Sequence, residues 1–174
     1  HVANKDTILD GMVDVVVGDI EVPASGTNWK TAMRHRSISA YAVLLAHPWA
    51  ALLIMSRFNI GPGMTRYLDA TLGRLREGGF SVEGALDAWH TLDSHLYGFT
   101  LQQLNLPFGV DETRQVSAAV LGQLSVAEFP HVVEVITQIM GSGREEEFTF
   151  GLDLILDGLD RLRSATPDSG ADRP

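Results

Sequence analysis

Apolar residues recur at intervals of three and four along almost the whole chain, the period of helices buried on one side. Ile8, Leu9, Met12, Val15 and Val16 make the first such stripe, running through about Ile20, with Asn4 as its N-cap and Asp6 in its first turn. Pro23 to Asn28 is rich in Pro, Ser and Gly and reads as a loop. A second helix is predicted from Trp29 to Ala46, with Trp29, Met33, Ala40, Tyr41 and Leu44 on one side. His47-Pro48 breaks it, and Pro48 suits the first turn of a short third helix ending near Phe58. After Gly61-Pro62-Gly63, a fourth helix carries Met64, Tyr67, Leu68, Leu72 and Leu75 and stops at Gly78-Gly79. Ser81 caps a long fifth helix over 82–104. Asn105 to Thr113 reads as a loop, 114–124 as a weak helix, and Pro130 to Met140 as a further helix. A terminal helix spans 145–163, followed by a polar tail, 164–174, expected to be disordered. Val15-Val16-Val17 is the one strand-like cluster and is too short to outweigh the helical period, so the fold class is all-α.

Two of these helices, 82–104 and 145–163, carry more apolar surface than a monomer of this size can cover. Phe148, Leu152, Ile155, Leu159 and Leu162 form one continuous stripe, and Phe150 and Leu154 form a second beside it. Gly151 and Gly158 sit on the same helix, each at a penalty of roughly 1 kcal/mol relative to alanine. Such a helix is expected to touch its own core with one face and a second copy of the chain with the other. The predicted dimer surface comprises Leu92, His95, Leu96 and Phe99 with Phe148, Leu152, Ile155 and Leu159. His95 near that seam would make dimer strength respond to pH.

Composition narrows the function. The 174 residues fit one domain, and a globule of this size needs no covalent staples. There is no cysteine, which excludes disulfides, thiolate metal sites and a cysteine nucleophile, and fits a reducing compartment. Thirteen Lys and Arg against 22 Asp and Glu give a net charge of −9, so this stretch itself is a poor match for nucleic-acid phosphates. No apolar run reaches the roughly 18 residues of a membrane span. The start, His1-Val2-Ala3-Asn4-Lys5, is not a natural initiator sequence, so the chain is expected to be a fragment.

Four motifs now come together. They are His1-Val2-Ala3-Asn4-Lys5-Asp6-Thr7-Ile8-Leu9, Leu45-Ala46-His47-Pro48, Gly79-Phe80-Ser81 before a long helix, and Phe148-x-Phe150-Gly151-Leu152-x-Leu154-Ile155-x-x-Gly158-Leu159. In order and separation they resemble the TetR family of transcription regulators, in the branch of the tetracycline repressor, over about residues 1–163. The resemblance implies that residues 1–4 end the DNA-recognition helix, that nearly all of the helix-turn-helix domain lies outside the chain, and that 5–163 form an effector-binding and dimerisation domain. It implies a TetR C-terminal-like bundle in which helices 82–104 and 145–163 pair with their copies as an intersubunit four-helix bundle. The implied partners are a second subunit, a small apolar or aromatic effector and, through the absent domain, operator DNA; no membrane or cofactor is implied, and the place of action is the cytoplasm. Effector binding would shift helix 5–20 and release DNA, which makes a repressor the expected role. The ligand-pocket candidates are Met33, Ser37, Tyr41, Met55, Phe58, Leu68, Thr71, Trp89 and His90, a lining suited to an apolar molecule held by a few hydrogen bonds.

The same resemblance argues against a magnesium–tetracycline chelate. Its magnesium-binding histidine falls at Ile54, its water-bridged glutamate at Gln102, and its drug-clasping asparagine and phenylalanine at Arg36 and Ala40. Its pocket glutamine falls near Thr71 and a further drug-binding histidine at Glu21. Two other readings compete with this one. An inert helical dimer without ligand needs no special residues. A ferritin-like metal enzyme would use Asp87-x-x-His90 and Glu128-x-x-His131, but Pro130 interrupts the second pair, and neither Glu21 nor Asp69 makes a good further inward carboxylate. No catalytic nucleophile or metal set stands out: the serines lack the Gly-x-Ser-x-Gly setting, and Gly141-Ser142-Gly143 lacks the third glycine of a dinucleotide loop. Equilibrium titration with tetracycline in magnesium buffer should therefore show no saturable binding in the micromolar range.

Overall fold

The computed structural model describes residues 5–56, 61–105, 110–139 and 144–165. They form eight helices and no strand: α1 (Lys5–Gly18), α2 (Trp29–Ala46), α3 (Pro48–Ser56), α4 (Pro62–Glu77), α5 (Val82–Asn105), α6 (Val110–Leu121), α7 (Pro130–Ile139) and α8 (Arg144–Ala165). The all-α expectation holds. The expected N-cap Asn4, Phe58, Met140 and most of the tail lie outside the described residues. α6 begins at Val110, inside the stretch read as loop. α8 runs to Ala165, past the expected end at 163.

α2 is the axis of the bundle. It packs on α3, α4, α5 and α8, and its buried residues, Trp29, Ala32, Met33, Arg36, Ser37, Ala40, Tyr41 and Leu44, cover a broad face with the helical period. Asn28 starts it: its side-chain oxygen accepts hydrogen bonds from Lys30 N at 3.0 Å and Thr31 N at 3.4 Å. α5 packs on α3, α4 and α8, and α1 lies across α3 and α4. α6 and α7 pack chiefly on each other. No single described helix is long and apolar enough to cross a membrane.

Two tight joints fix the frame. At the end of α4, Gly78 lies against Trp29: a Cβ there would stand 2.5 Å from the Trp29 Cβ, so only glycine lets α2 come this close. Gly79 follows with φ +92°, reversing the chain toward Phe80, whose ring meets Trp29 edge-on at 4.8 Å. Arg163 of α8 closes the same corner, donating to the Gly78 carbonyl at 2.9 Å.

The second joint ties α1 to α4. The Asp14 carboxylate accepts from Gly63 N at 2.9 Å and Met64 N at 2.8 Å. It caps a helix it does not belong to, adding its negative charge to the positive end of the α4 dipole. Gly63 permits the approach, since a Cβ would come within 2.6 Å of the Asp14 carbonyl oxygen. Replacing Asp14 by alanine orphans two N–H donors and should lower stability by about 1–2 kcal/mol. Urea denaturation of the two proteins measures this, and an unchanged midpoint would show that the joint carries no weight.

Candidate functional site

Where α2, α4 and α5 meet, the core holds a charge. Arg36 is wholly buried, at 0% exposure, a position arginine occupies only when paired. Its Nη2 donates to Asp93 Oδ1 at 2.5 Å, and its guanidinium carbon lies 4.9 Å from the centre of the Tyr67 ring. Burial opposes the charge, but the neighbouring Tyr67 and Asp93 more than offset it and raise the arginine pKa further above its ordinary value. Burial also pushes the phenols of Tyr67 and Tyr97 well above the usual tyrosine range; Arg36 pulls each back only in part, and Asp93 adds to the rise. Both phenols are therefore protonated at neutral pH and available as donors.

The hydrogen bonds here are incomplete. Arg36 Nε and Nη1, the Ser37 hydroxyl, the Tyr67 hydroxyl and the Trp89 indole nitrogen are all shut away from solvent without a partner. The Tyr67 hydroxyl feels both the charge of Arg36 and a side-chain hydrogen bond with it, though the bond is not well aligned. Trp89, Asp93 and Tyr97 stand one helical turn apart on α5 and form one stripe. Thr71 is satisfied locally, its hydroxyl donating to the Tyr67 carbonyl at 2.8 Å.

The pocket residues expected from the sequence divide. Met33, Ser37 and Thr71 are buried, and Leu68 and Trp89 are half-buried against the core. Tyr41 is buried elsewhere: it stacks on Phe148 with ring centres 4.3 Å apart and belongs to the α2–α8 seam. Two candidates face outward. Met55 is 54% exposed, because α3 turns that edge outward, and His90 is exposed one position past the Trp89 stripe. Phe58 lies outside the described residues. The sequence reading places Arg36 and Tyr67 on their helices without assigning them to the site, and does not single out Asp93 or Tyr97. The available signal was an acid and two aromatic residues at four-residue spacing on α5, facing an arginine amid the apolar positions of α2.

The dimer residues divide as well. Leu92, Leu96, Phe148, Leu152 and Leu159 are buried within the single chain, so they are core and not an exposed seam. His95 bonds to the Phe148 carbonyl through Nε2 at 3.0 Å and stacks on the Phe148 ring, which places it between α5 and α8 of its own chain. Phe99 and Ile155 are half-buried. The outward strip of α8 is instead Phe150, Leu154 and Leu162, at 69%, 56% and 67% exposure. Asp87, His90, Glu128 and His131 are all exposed, so the bundle interior does not gather them as a di-iron site would require.

Two surface grooves lie away from the Arg36 cluster. One, of about 470 Å³, runs between Trp29, Lys30, Glu77, Gly78, Asp160 and Arg163. The other, of about 490 Å³, is lined by Glu21, Val22, Pro23, Thr27, Thr31 and His35. Neither contains a residue predicted for the pocket.

The buried pair makes a stability prediction of its own. Asp93→Ala strands the Arg36 charge and should destabilise the protein by about 3–5 kcal/mol, whereas the double substitution Arg36→Met with Asp93→Leu should recover most of that loss. Urea denaturation of the single and double variants decides it; a double variant no more stable than Asp93→Ala would show that the pair is not the source.

Comparison with known proteins gives this geometry a setting. The chain is 31% identical over 99 residues to an HTH-type transcriptional regulator of Saccharopolyspora erythraea, covering 56% of this chain and 42% of that protein. It is 27% identical over 180 residues to the HTH-type transcriptional repressor DrrR1 of Streptomyces coeruleorubidus, covering 93% and 63%. The chain thus spans less than two thirds of the length of these relatives. Among solved structures it resembles apo ActR of Streptomyces coelicolor at 27% identity and a TM-score of 0.76, covering 94% of this chain and 78% of that one. The same protein solved in complex with actinorhodin matches at 25% identity with TM-score 0.76, covering 94% and 79%. Residues 22–163 match the family described as Tetracyclin repressor-like, C-terminal domain, and the chain belongs to that family.

Proposed function

We propose that this chain is the effector-sensing and dimerising domain of a DNA-binding transcriptional repressor, acting in the cytoplasm and without catalytic activity of its own. The observation that carries the sensing half is the set of buried, unpartnered polar groups where α2, α4 and α5 meet. A closed core pairs such groups; a binding site leaves them for its ligand. DrrR1 is named a repressor and ActR was solved with a bound small molecule, and both support the reading. The apolar company of Met33, Leu68 and Trp89 suits an aromatic effector.

The route from ligand to DNA runs through the second joint. α4 contributes Tyr67 to the site, and its N-terminus grips Asp14 of α1. A ligand that favours one placement of α4 moves α1 with it, and in a full-length regulator of this family α1 leads back to the DNA-binding head. The shift requires the ligand to bind one of two arrangements more tightly than the other.

Dimerisation rests on the outer strip of α8. Phe150, Leu154, Gly158 and Leu162 recur every four residues along one edge, and a Cβ at Gly158 would meet nothing within 4 Å. That edge and the neighbouring face of α5, where Gly98 is equally open, form the surface offered to a second copy, which buries apolar area otherwise left in water. Sedimentation velocity tests the reading. The wild-type chain should sediment as a dimer; Leu154→Glu should be monomeric with unchanged helical circular dichroism, whereas Leu152→Glu, which puts a charge in the core, should unfold. A folded Leu154→Glu protein that still dimerises would remove the α8 interface.

A further inference from the structure

The α6–α7 hairpin has no interior of its own. The two helices pack chiefly on each other, and among the described residues none of 115–138 is buried. Leu121, Leu124, Val133 and Ile136 are half-buried. A second apolar set stays in water: Val116 and Val120 on α6, each 40% exposed, and Val132 and Val135 on α7, at 47% and 55%. Each pair is spaced to share one face of its helix. Helices of 12 and 10 residues are marginal in water by themselves. A hairpin built from them, with an apolar strip open on its outside, lacks the burial that would hold it together.

What can cover the strip is constrained by charge and by position. Residues 115–138 contain no Lys or Arg, so the hairpin attracts neither nucleic-acid phosphates nor an anionic membrane surface. Its cover is therefore apolar protein. That cover has to be present in equal amount whenever the chain folds, a condition that a second copy of the chain meets and an occasional partner does not. Position points the same way. The hairpin leaves the end of α5 and returns into the start of α8. These two helices run antiparallel, with His95 against Phe148 near this end and Arg163 against Gly78 at the other. Phe150, the first residue of the exposed α8 strip, lies within two turns of the point where the hairpin returns.

We propose that the α6–α7 hairpin is an arm that docks on a second copy of the chain, closing Val116, Val120, Val132 and Val135 against it. The proposal rests on the dimer reading above and adds a second contact to the α8 strip. Two-fold symmetry forms that contact twice in each dimer. Ordering of the arm and association of the subunits are then one event, and a monomer keeps its α2 core while its arm frays.

Two measurements on the whole chain test this: the dimer constant from sedimentation equilibrium, and hydrogen exchange of α6–α7 compared with α2. Val132→Glu with Val135→Glu should weaken dimerisation about a hundredfold by placing charges in the docked strips. Protection of α2 should not change, since both side chains stand outside the subunit's own core. Val132→Thr with Val135→Thr keeps the shape and should weaken dimerisation about tenfold; it gives the answer if the glutamates unfold the chain. In the wild-type dimer α6–α7 should be protected, and in monomeric Leu154→Glu that protection should be lost while α2 keeps its own. Valine variants that dimerise as tightly as the wild type overturn the arm, and so does α6–α7 protection that survives in a monomer. If Leu154→Glu still dimerises but the valine variants do not, the α8 strip is misread and the arm stands. A wild-type chain that is monomeric at millimolar concentration overturns both.

Discussion

A positive charge at the centre of a helical bundle constrains everything around it. Arg36 cannot leave without stranding Asp93, and Asp93 cannot leave without stranding Arg36. The pair therefore fixes α2 against α5, and the Tyr67 ring under the guanidinium adds α4 to the same contact. Three helices are held in one register by groups that are only partly satisfied. An apolar core of the same volume would hold them at least as firmly, so stability alone does not account for the arrangement. What it supplies is polarity in a dry place, where a hydrogen bond to a ligand is worth more than in water.

The junction also explains why the Asp14 joint matters. α4 meets both contacts in its first two turns: Gly63 and Met64 are clamped on Asp14 of α1, and Tyr67, one turn later, lies against Arg36, with Thr71 and Leu75 continuing the buried stripe that begins at Met64. Packed helices of this kind slide or tilt as units because their interiors are dense and do not deform smoothly. A displacement at Tyr67 is thus delivered to the N-terminus of α4 with little loss. Pro62 in the first turn, with its fixed φ, gives that terminus a stiff entry.

Much of the fold was legible in the sequence because helix period, Pro and Gly punctuation and caps agree with one another. The breaks at His47-Pro48, Gly61-Pro62 and Gly78-Gly79 all fall where the chain turns. The site was far less legible. Arg36 was seen only as a residue unable to replace an asparagine, because a charged side chain on an apolar face reads as an interruption until its partner is located in space. Asp93 lies 57 positions away, and helix periodicity carries no information over such a distance. Met55 and His90 are the opposite case: composition marks them as pocket material, and only the rotation of α3 and α5 shows that they face outward.

The rotation of α8 is the clearest case of a choice that periodicity alone left open. Both of its strips are apolar, so hydrophobicity does not say which one enters the core. The deciding groups are polar. Lys30 and Arg34, one turn apart on α2, pair with Asp157 and Asp153, one turn apart on α8. Exposed pairs of this kind contribute little stability, but they distinguish two otherwise similar orientations. With that edge against α2, Phe148, Leu152, Leu156 and Leu159 turn inward. Gly151 then comes against His95, where a Cβ would stand 2.6 Å from the imidazole Cε1, while Gly158 faces open space. The two glycines therefore answer to different constraints. Gly151 is needed by the chain's own α5–α8 contact, whereas among the described residues nothing crowds Gly158.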